Sequence, residues 1–216
     1  SDGLFQTQEE VDNAPFVSTA TRPGDVRYKD ISGPDGEPDG KITSEDRVHL
    51  GGSLPRYNYG GSLNFDYKNF FLSVIFHGVG KQNRAINTEI SDGFTFDILT
   101  PTTLYEENYW SHYNTPEENL KAKYPRLTNL SNQRTNTRFS DYWMIDGAYF
   151  RLKNLTFGYN VPHEFLGIAS IDELKLNLTA TDLFSVDNFP KGIDPEHNYG
   201  SYFITKSFLI GVNIKF

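Results

Sequence analysis

Cysteine is absent from the 216 residues and methionine occurs once. The first absence removes disulfides, thiolate nucleophiles and thiolate zinc sites together, while leaving the compartment open. Long apolar runs are missing too. The longest, FFLSVIF at residues 70 to 76, falls far short of the roughly 18 residues a membrane helix requires, so no transmembrane helix is expected. Basic charge is scarce: 20 Lys and Arg stand against 28 Asp and Glu, a net charge of -8. With no basic block, nucleic acid is not an expected partner. There is no Walker A sequence, no G-x-S-x-G elbow and no G-x-G-x-x-G turn. His49, His77, His112, His163 and His197 show no metal-ligand spacing. An enzyme is therefore not expected. The chain opens SDGLFQTQ, without Met or an apolar signal region, and reads as a segment of a longer polypeptide.

Aromatic residues, in contrast, make up 15% of the chain, which argues against disorder. The first 55 residues are rich in Asp, Gly and Pro and read as a long loop. From Tyr57 a period of two takes over. Tyr57, Tyr59, Gly61, Leu63, Phe65 and Tyr67 share one face, and Phe70, Leu72, Val74 and Phe76 resume the alternation after Lys68 and Asn69. That spacing predicts two strands joined by a minimal hairpin turn. Residues 80 to 147 form a long polar region with one helix signal: Thr115 as cap, Pro116 at the first helical position and Glu118 completing a capping box. Between Tyr149 and Val161, Phe150 and Leu152 lie in one phase while Leu155, Phe157, Tyr159 and Val161 lie in the other. A bulge at Lys153 or Asn154 accounts for the change. Leu174 to Ala180 and Phe208 to Phe216 alternate in the same way.

Five strands of about ten residues are longer than the five or six usual in soluble domains and match the nine to eleven of a tilted strand crossing a bilayer. The links after Tyr67 and Val161 are short, whereas those before Tyr57, after Val79 and after Phe184 are long. In an antiparallel order these fall on opposite sides, the asymmetry of outer-membrane barrels. Tyr57, Tyr67, Tyr159 and Phe216 would then stand in interfacial girdles. The fold class expected is all-β, an antiparallel transmembrane β-barrel segment with long extracellular loops: residues 1–55 a loop region, residues 56–216 the strands and their loops. The same alternation also fits a secreted soluble β-sandwich that binds carbohydrate, with the apolar stripes turned into a core.

Several segments in order carry a resemblance: GDVRYKDISG, DGKITSEDR, YNYGGSLNFDYKNFFLSVIFHGVG, KAKYPRL, DYWMIDGAYFRLKNLTFGYNVP, ATDLFSV, KGIDPE and the final GVNIKF. Together they resemble the carboxy-terminal part of SusC/RagA-type TonB-dependent outer-membrane transporters, across residues 24 to 216. The resemblance implies part of a plugged barrel of about 22 strands in the outer membrane, bathed in its lipid. It also implies import of oligosaccharides or peptides, a SusD-like surface lipoprotein as lid, and TonB as partner through an amino-terminal part. Neither plug nor TonB signal is recognisable in this sequence.

Site candidates are few. Asp30, Asp35, Asp39, the Lys41 carbonyl and Asp46 surround Gly33 and Gly40 with the cadence of a calcium loop, which needs hard oxygen ligands around a Gly-enabled turn. The stretch from Gly33 to Pro38 lengthens that loop beyond twelve residues, and Asp46 stands where a bidentate Glu is usual. An acidic solvated turn reads the same residues equally well. Tyr109, Trp110 and Trp143, with Tyr105, Tyr113 and Tyr142 nearby, are candidates to stack on a sugar ring, or simply to pack the loop. Asp194 and Glu196 are two apart around Pro195, which favours a rigid turn over a glycosidase pair.

Overall fold

The computed structural model describes residues 1–86, 105–106, 108–128, 134–167, 170–197, 202 and 204–216. Two compact units divide the chain. One joins residues 1–51 with 84–145, and the other joins 52–83 with 146–216. The linear division at residue 55 thus lies close to the start of the second unit, while the long central region clusters with the amino-terminal residues.

The second unit is built on one antiparallel sheet. Its strands are β1 (Tyr57–Tyr67), β2 (Phe70–Gly80), β5 (Tyr149–Val161), β6 (Glu173–Asp187) and β7 (Ser207–Lys215), in the order β1-β2-β5-β6-β7. Two short strands, β3 (Asn83–Ala85) and β4 (Met144–Asp146), pair with each other. Lys68 and Asn69 make the β1–β2 turn, with Lys68 at a positive φ of 54° that suits the twist of a two-residue hairpin. The sheet is open, with β1 and β7 at its edges.

Register aligns the sequence periodicities into rows that run across all five strands. Phe65, Leu72, Phe157, Leu178 and Ile210 form one row, and Tyr67, Phe70, Tyr159, Leu176 and Val212 the next. The opposite face carries Asn64, Ser73, Thr156, Thr179 and Leu209 in the corresponding places. The apolar face stays exposed: Phe65 is 57%, Leu178 50% and Ile210 86% accessible. A soluble sandwich would bury this stripe beneath a second sheet. Here the buried apolar side chains described in the unit are only Val79, Tyr149, Leu166, Ala180 and Pro195. Dimensions agree with a membrane wall. From Tyr57 to Tyr67 the strand rises about 33 Å at 3.3 Å per residue, or roughly 25 Å when tilted by 40°, the height of an outer-membrane apolar band.

The expected bulge sits in β5. Phe76 faces Leu152 and Ile75 faces Asn154, leaving Lys153 unmatched by β2. On the other side Leu152 faces Phe184 and Asn154 faces Thr181, so β6 carries both Asp182 and Leu183 across the same interval. Asp182 has φ 49°, a left-handed conformation that Asp tolerates better than most residues. Elsewhere the sheet needs missing side chains: a Cβ on Gly158 would come within 2.1 Å of the Phe71 ring that lies across it from the neighbouring strand.

In the first unit, Leu4 and Val26 meet in an antiparallel bridge and pack with Trp110, flanked by Tyr28, Ala122 and Tyr142. Buried Asp25 is held by Arg126 Nε at 2.6 Å and Asn136 Nδ2 at 2.8 Å, and Asn136 Oδ1 accepts the Val26 amide. This buried charge is therefore paired and fully hydrogen-bonded, as its desolvation demands. Helix α2 (Pro116–Lys121) has the capping box expected of Thr115 and Glu118. Helix α1 (Gln8–Asp12) departs from the loop reading of the first 55 residues. Its five residues are too few to show a helical period, yet Thr7 accepts from the Glu10 amide while Glu10 accepts from the Gln6 amide.

Candidate functional site

Seven polar side chains converge on the non-apolar face of the sheet, around the bulge. Arg151 of β5 lies beside His77 of β2 in register, and its side chain is only 4% exposed. An Arg cannot be buried so deeply without carboxylates around it. Its Nη2 donates to Asp194 Oδ2 at 2.7 Å, while Nη1 stands 3.6 Å from Glu196 Oε2 and 3.8 Å from Asp182 Oδ1. Lys153, the bulge residue, donates to Asp182 at 3.0 Å and to Glu196 at 2.5 Å. Tyr149 and His77 complete the group, with 3.4 Å between the phenol oxygen and Nδ1 and the rings edge to face.

Asp194 and Glu196 arrive on a segment whose shape is local. The Ile193 amide donates to the Pro190 carbonyl in a first turn, where Gly192 takes φ 89°, and the His197 amide donates to the Asp194 carbonyl in a second. Asp194 Oδ1 also accepts the Glu196 amide, and Pro195 is fully buried. The rigid turn expected from Pro195 is present, and both carboxylates serve as ion-pair partners of the wall. In chemical terms the cluster is a tethered salt-bridge network on the polar face of the sheet, with two cations facing three carboxylates.

The calcium-loop residues also come together, but their oxygens are used locally. Asp46 Oδ1 accepts the Ile31 and Ser32 amides and Oδ2 accepts the Thr43 amide at 2.7 Å. Asp30 accepts from Asp39 and Gly40, and Asp39 from Lys41. Asp35 stands exposed at the tip. Desolvation pushes the Asp46 carboxyl up, yet the three amides and the Asp30 side chain together outweigh it and leave its pKa below the ordinary carboxylate value. Among the described residues no group of three or more His, Asp or Glu is arranged to hold a metal.

Of the aromatic candidates, Trp110 and Trp143 are each only 4% exposed. Trp110 Nε1 donates to Gln6 Oε1, and Trp143 Nε1 to the Asn136 carbonyl at 2.6 Å. Both indoles are used in the packing of the first unit. Tyr109 is half-buried and bridges Tyr124 through its backbone, Tyr105 is buried against the Tyr124 ring, and Tyr113 is 98% exposed. Sequence reasoning missed Arg151 and Lys153, although two cations inside an otherwise Phe- and Leu-rich strand are a signal that carboxylates must be nearby.

No family model matches the chain. Over 99% of its length it is 27% identical to TonB-dependent receptor P3 and 29% identical to TonB-dependent receptor P26, both of Formosa agariphila. The chain spans about a fifth of the length of these relatives, 21% and 22%. Among solved structures it is similar to the RagAB peptide importer in the open-open state, with a TM-score of 0.59, 19% identity and 85% of this chain against 20% of that one. A RagAB peptide transporter structure gives a TM-score of 0.61 at 20% identity, covering 82% of this chain and 19% of that one.

Proposed function

We propose that the chain is a barrel segment of the TonB-dependent, SusC/RagA kind, part of an outer-membrane protein, and that it supplies wall and outer loops to an importer of peptides or oligosaccharides, a reading supported by its likeness to TonB-dependent receptors and to the RagAB fold. The observation that carries this reading is the pair of unlike faces on one sheet: exposed apolar rows on one side, and on the other the Arg151 network amid Ser, Thr and Asn. Lipid accepts the first and water the second. Five strands cannot close a barrel, so the wall is completed by the rest of the protein, with TonB engaged elsewhere in it and a SusD-like surface lipoprotein as lid. The chain acts by shape and position and performs no catalysis. Its likeness to RagAB, a peptide importer, favours peptides over glycans as cargo.

The test is made on the whole receptor. Cells carrying it should take up labelled oligopeptides or oligosaccharides, lose that uptake without TonB, and yield a co-purifying surface lipoprotein. Uptake that persists unchanged when the receptor gene is deleted would refute the role.

We also propose calcium binding at the 30–46 loop. Asp30 and Asp46 serve the same turn, Asp30 accepting the Gly40 amide and Asp46 the Thr43 amide, and a carboxylate oxygen that accepts one amide retains a lone pair. A hard cation there would relieve the repulsion between the two carboxylates. Asp30, Asp39 and Asp46 would supply carboxylate oxygens and Lys41 its carbonyl.

A further inference from the structure

We propose that Lys68 and Lys81 anchor the phosphates of anionic lipids, one at each border of the apolar face. The inference rests on the barrel reading and deepens it by naming the lipid chemistry that meets the wall. Both lysines are exposed and stand at opposite ends of β2, Lys68 in the turn before it and Lys81 directly after Gly80. Each reaches a tyrosine of β1 that belongs to the apolar face. The Lys68 ammonium lies 5.5 Å from the centre of the Tyr67 ring, and the Lys81 ammonium 6.0 Å from that of Tyr57. Tyr57 with Gly80 and Tyr67 with Phe70 are the first and last pairs of the β1–β2 ladder. The two cations therefore mark its ends, on the side that carries the apolar residues.

Backbone, partners and spacing together select the occupant. Lys68 has φ 54° and Lys81 φ 50°, a left-handed conformation that glycine or asparagine adopts at less cost. The backbone thus calls for lysine at neither place. Among the described residues neither ammonium is in an ion pair, whereas Lys153 and Lys175 hold carboxylates at 3.0 and 2.6 Å. A Cβ on Gly80 would come within 2.9 Å of the Tyr57 ring, so the bare backbone there lets the ring lie across β2 toward Lys81. Across the tilted wall the two tyrosines are about 25 Å apart, and each lysine stem can carry its charge outward past the ring, as snorkelling side chains do. That sets one cation at each headgroup layer of a hydrocarbon core about 30 Å thick. A bilayer presents two planes of phosphate at this spacing, and these supply the anionic oxygens that the protein does not.

The test uses the full-length receptor, folded into vesicles of phosphatidylcholine alone and of phosphatidylcholine mixed with phosphatidylglycerol. The folding equilibrium in each is read from heat-modifiable mobility across a urea series. Its ratio between the two lipids cancels any effect of a substitution on the backbone itself. Lys68→Gly and Lys81→Gly should each lower that ratio by a factor of roughly five, the contribution of one lysine at an anionic surface, and the double variant by roughly 25. Lys68→Arg and Lys81→Arg should keep it, as should Lys191→Gln at an exposed lysine of the β6–β7 link. Inorganic phosphate added to the phosphatidylcholine vesicles should not reproduce the gain. An unchanged ratio in the double variant, an equal loss in Lys191→Gln, or the same gain from free phosphate overturns the anchors while leaving the barrel in place. A receptor that inserts into neither vesicle refutes the barrel reading, and the anchors with it.

Discussion

Ile210 and Leu209 are adjacent in β7 and belong to opposite faces, so they make a matched pair for measuring which side of the sheet meets lipid. Ile210 sits across from Leu178, in the row that also holds Phe157, Leu72 and Phe65, and has Phe208 and Val212 as its neighbours on the same face. Being the fourth of nine residues in its strand, it lies near the middle of the apolar band. Arg at the midplane of a lipid-facing barrel strand costs about 2–4 kcal/mol, a factor of roughly 30 to 900 in the folding equilibrium. Leu209→Arg introduces the same charge and similar bulk on the face that meets water, where Leu209 is already 52% exposed. Its cost should remain within about 1 kcal/mol, the range of ordinary surface changes. Fraction folded can be followed by heat-modifiable gel mobility of the receptor refolded into lipid across a urea series. Equal sensitivity at the two positions, or greater sensitivity at Leu209, would refute the assignment of faces.

Arg151→Ala should lower the yield of folded receptor by an amount matching about 3–5 kcal/mol, since it strands buried carboxylates, whereas Lys153→Ala, at a 31% exposed site, should cost about 1 kcal/mol or less; similar losses at both would contradict the burial argument. At the 30–46 loop, the depressed Asp46 pKa means that the carboxylate contributes stability above its unfolded value, near 3.9, and that this is lost as pH falls through the folded one. Limited proteolysis of the loop should therefore accelerate in acid for the parent and be fast at every pH for Asp46→Ala. Calcium should slow that cleavage at neutral pH in the parent and have no effect in an Asp39→Ala, Asp46→Ala double variant, and absence of any calcium effect in the parent would remove the site. For orientation, Tyr113→Cys at the 98% exposed tyrosine should be labelled in intact cells, because it lies in the long link between β2 and β5; labelling only after permeabilisation would invert the topology.

The barrel strands were legible because a sheet with unlike faces writes its period directly into the sequence. Even the bulge could be located, since only an inserted residue changes the phase between Leu152 and Leu155. The capping box of α2 was equally readable, being local chemistry within four residues. The salt-bridge network was not. Arg151 and Asp194 are 43 positions apart, and their meeting depends on two consecutive turns that fold 190–197 back over β5. Trp110 and Trp143 illustrate a different limit. Aromatic side chains in a loop look alike whether they serve a ligand or a core, and only the depth at which Leu4, Val26 and Asn136 enclose them tells the two apart.

The bulge at Lys153 also governs which changes of length the wall can absorb. Between the same two rows of the sheet, β2 runs from Val74 to Phe76, β5 from Leu152 to Leu155 and β6 from Ala180 to Phe184, so each strand crosses that interval with one residue more than the last. Strand β5 is in effect two rulers of opposite parity joined at Lys153. Removing that residue would leave Phe150, Leu152, Leu155, Phe157, Tyr159 and Val161 in one unbroken period of two on the apolar face, at the cost of the cation that pairs with Asp182 and Glu196. A pair of residues added elsewhere in β5 preserves parity and merely lengthens the wall. Odd-numbered insertions and deletions in these strands should therefore be excluded, except where a bulge already stands to receive them.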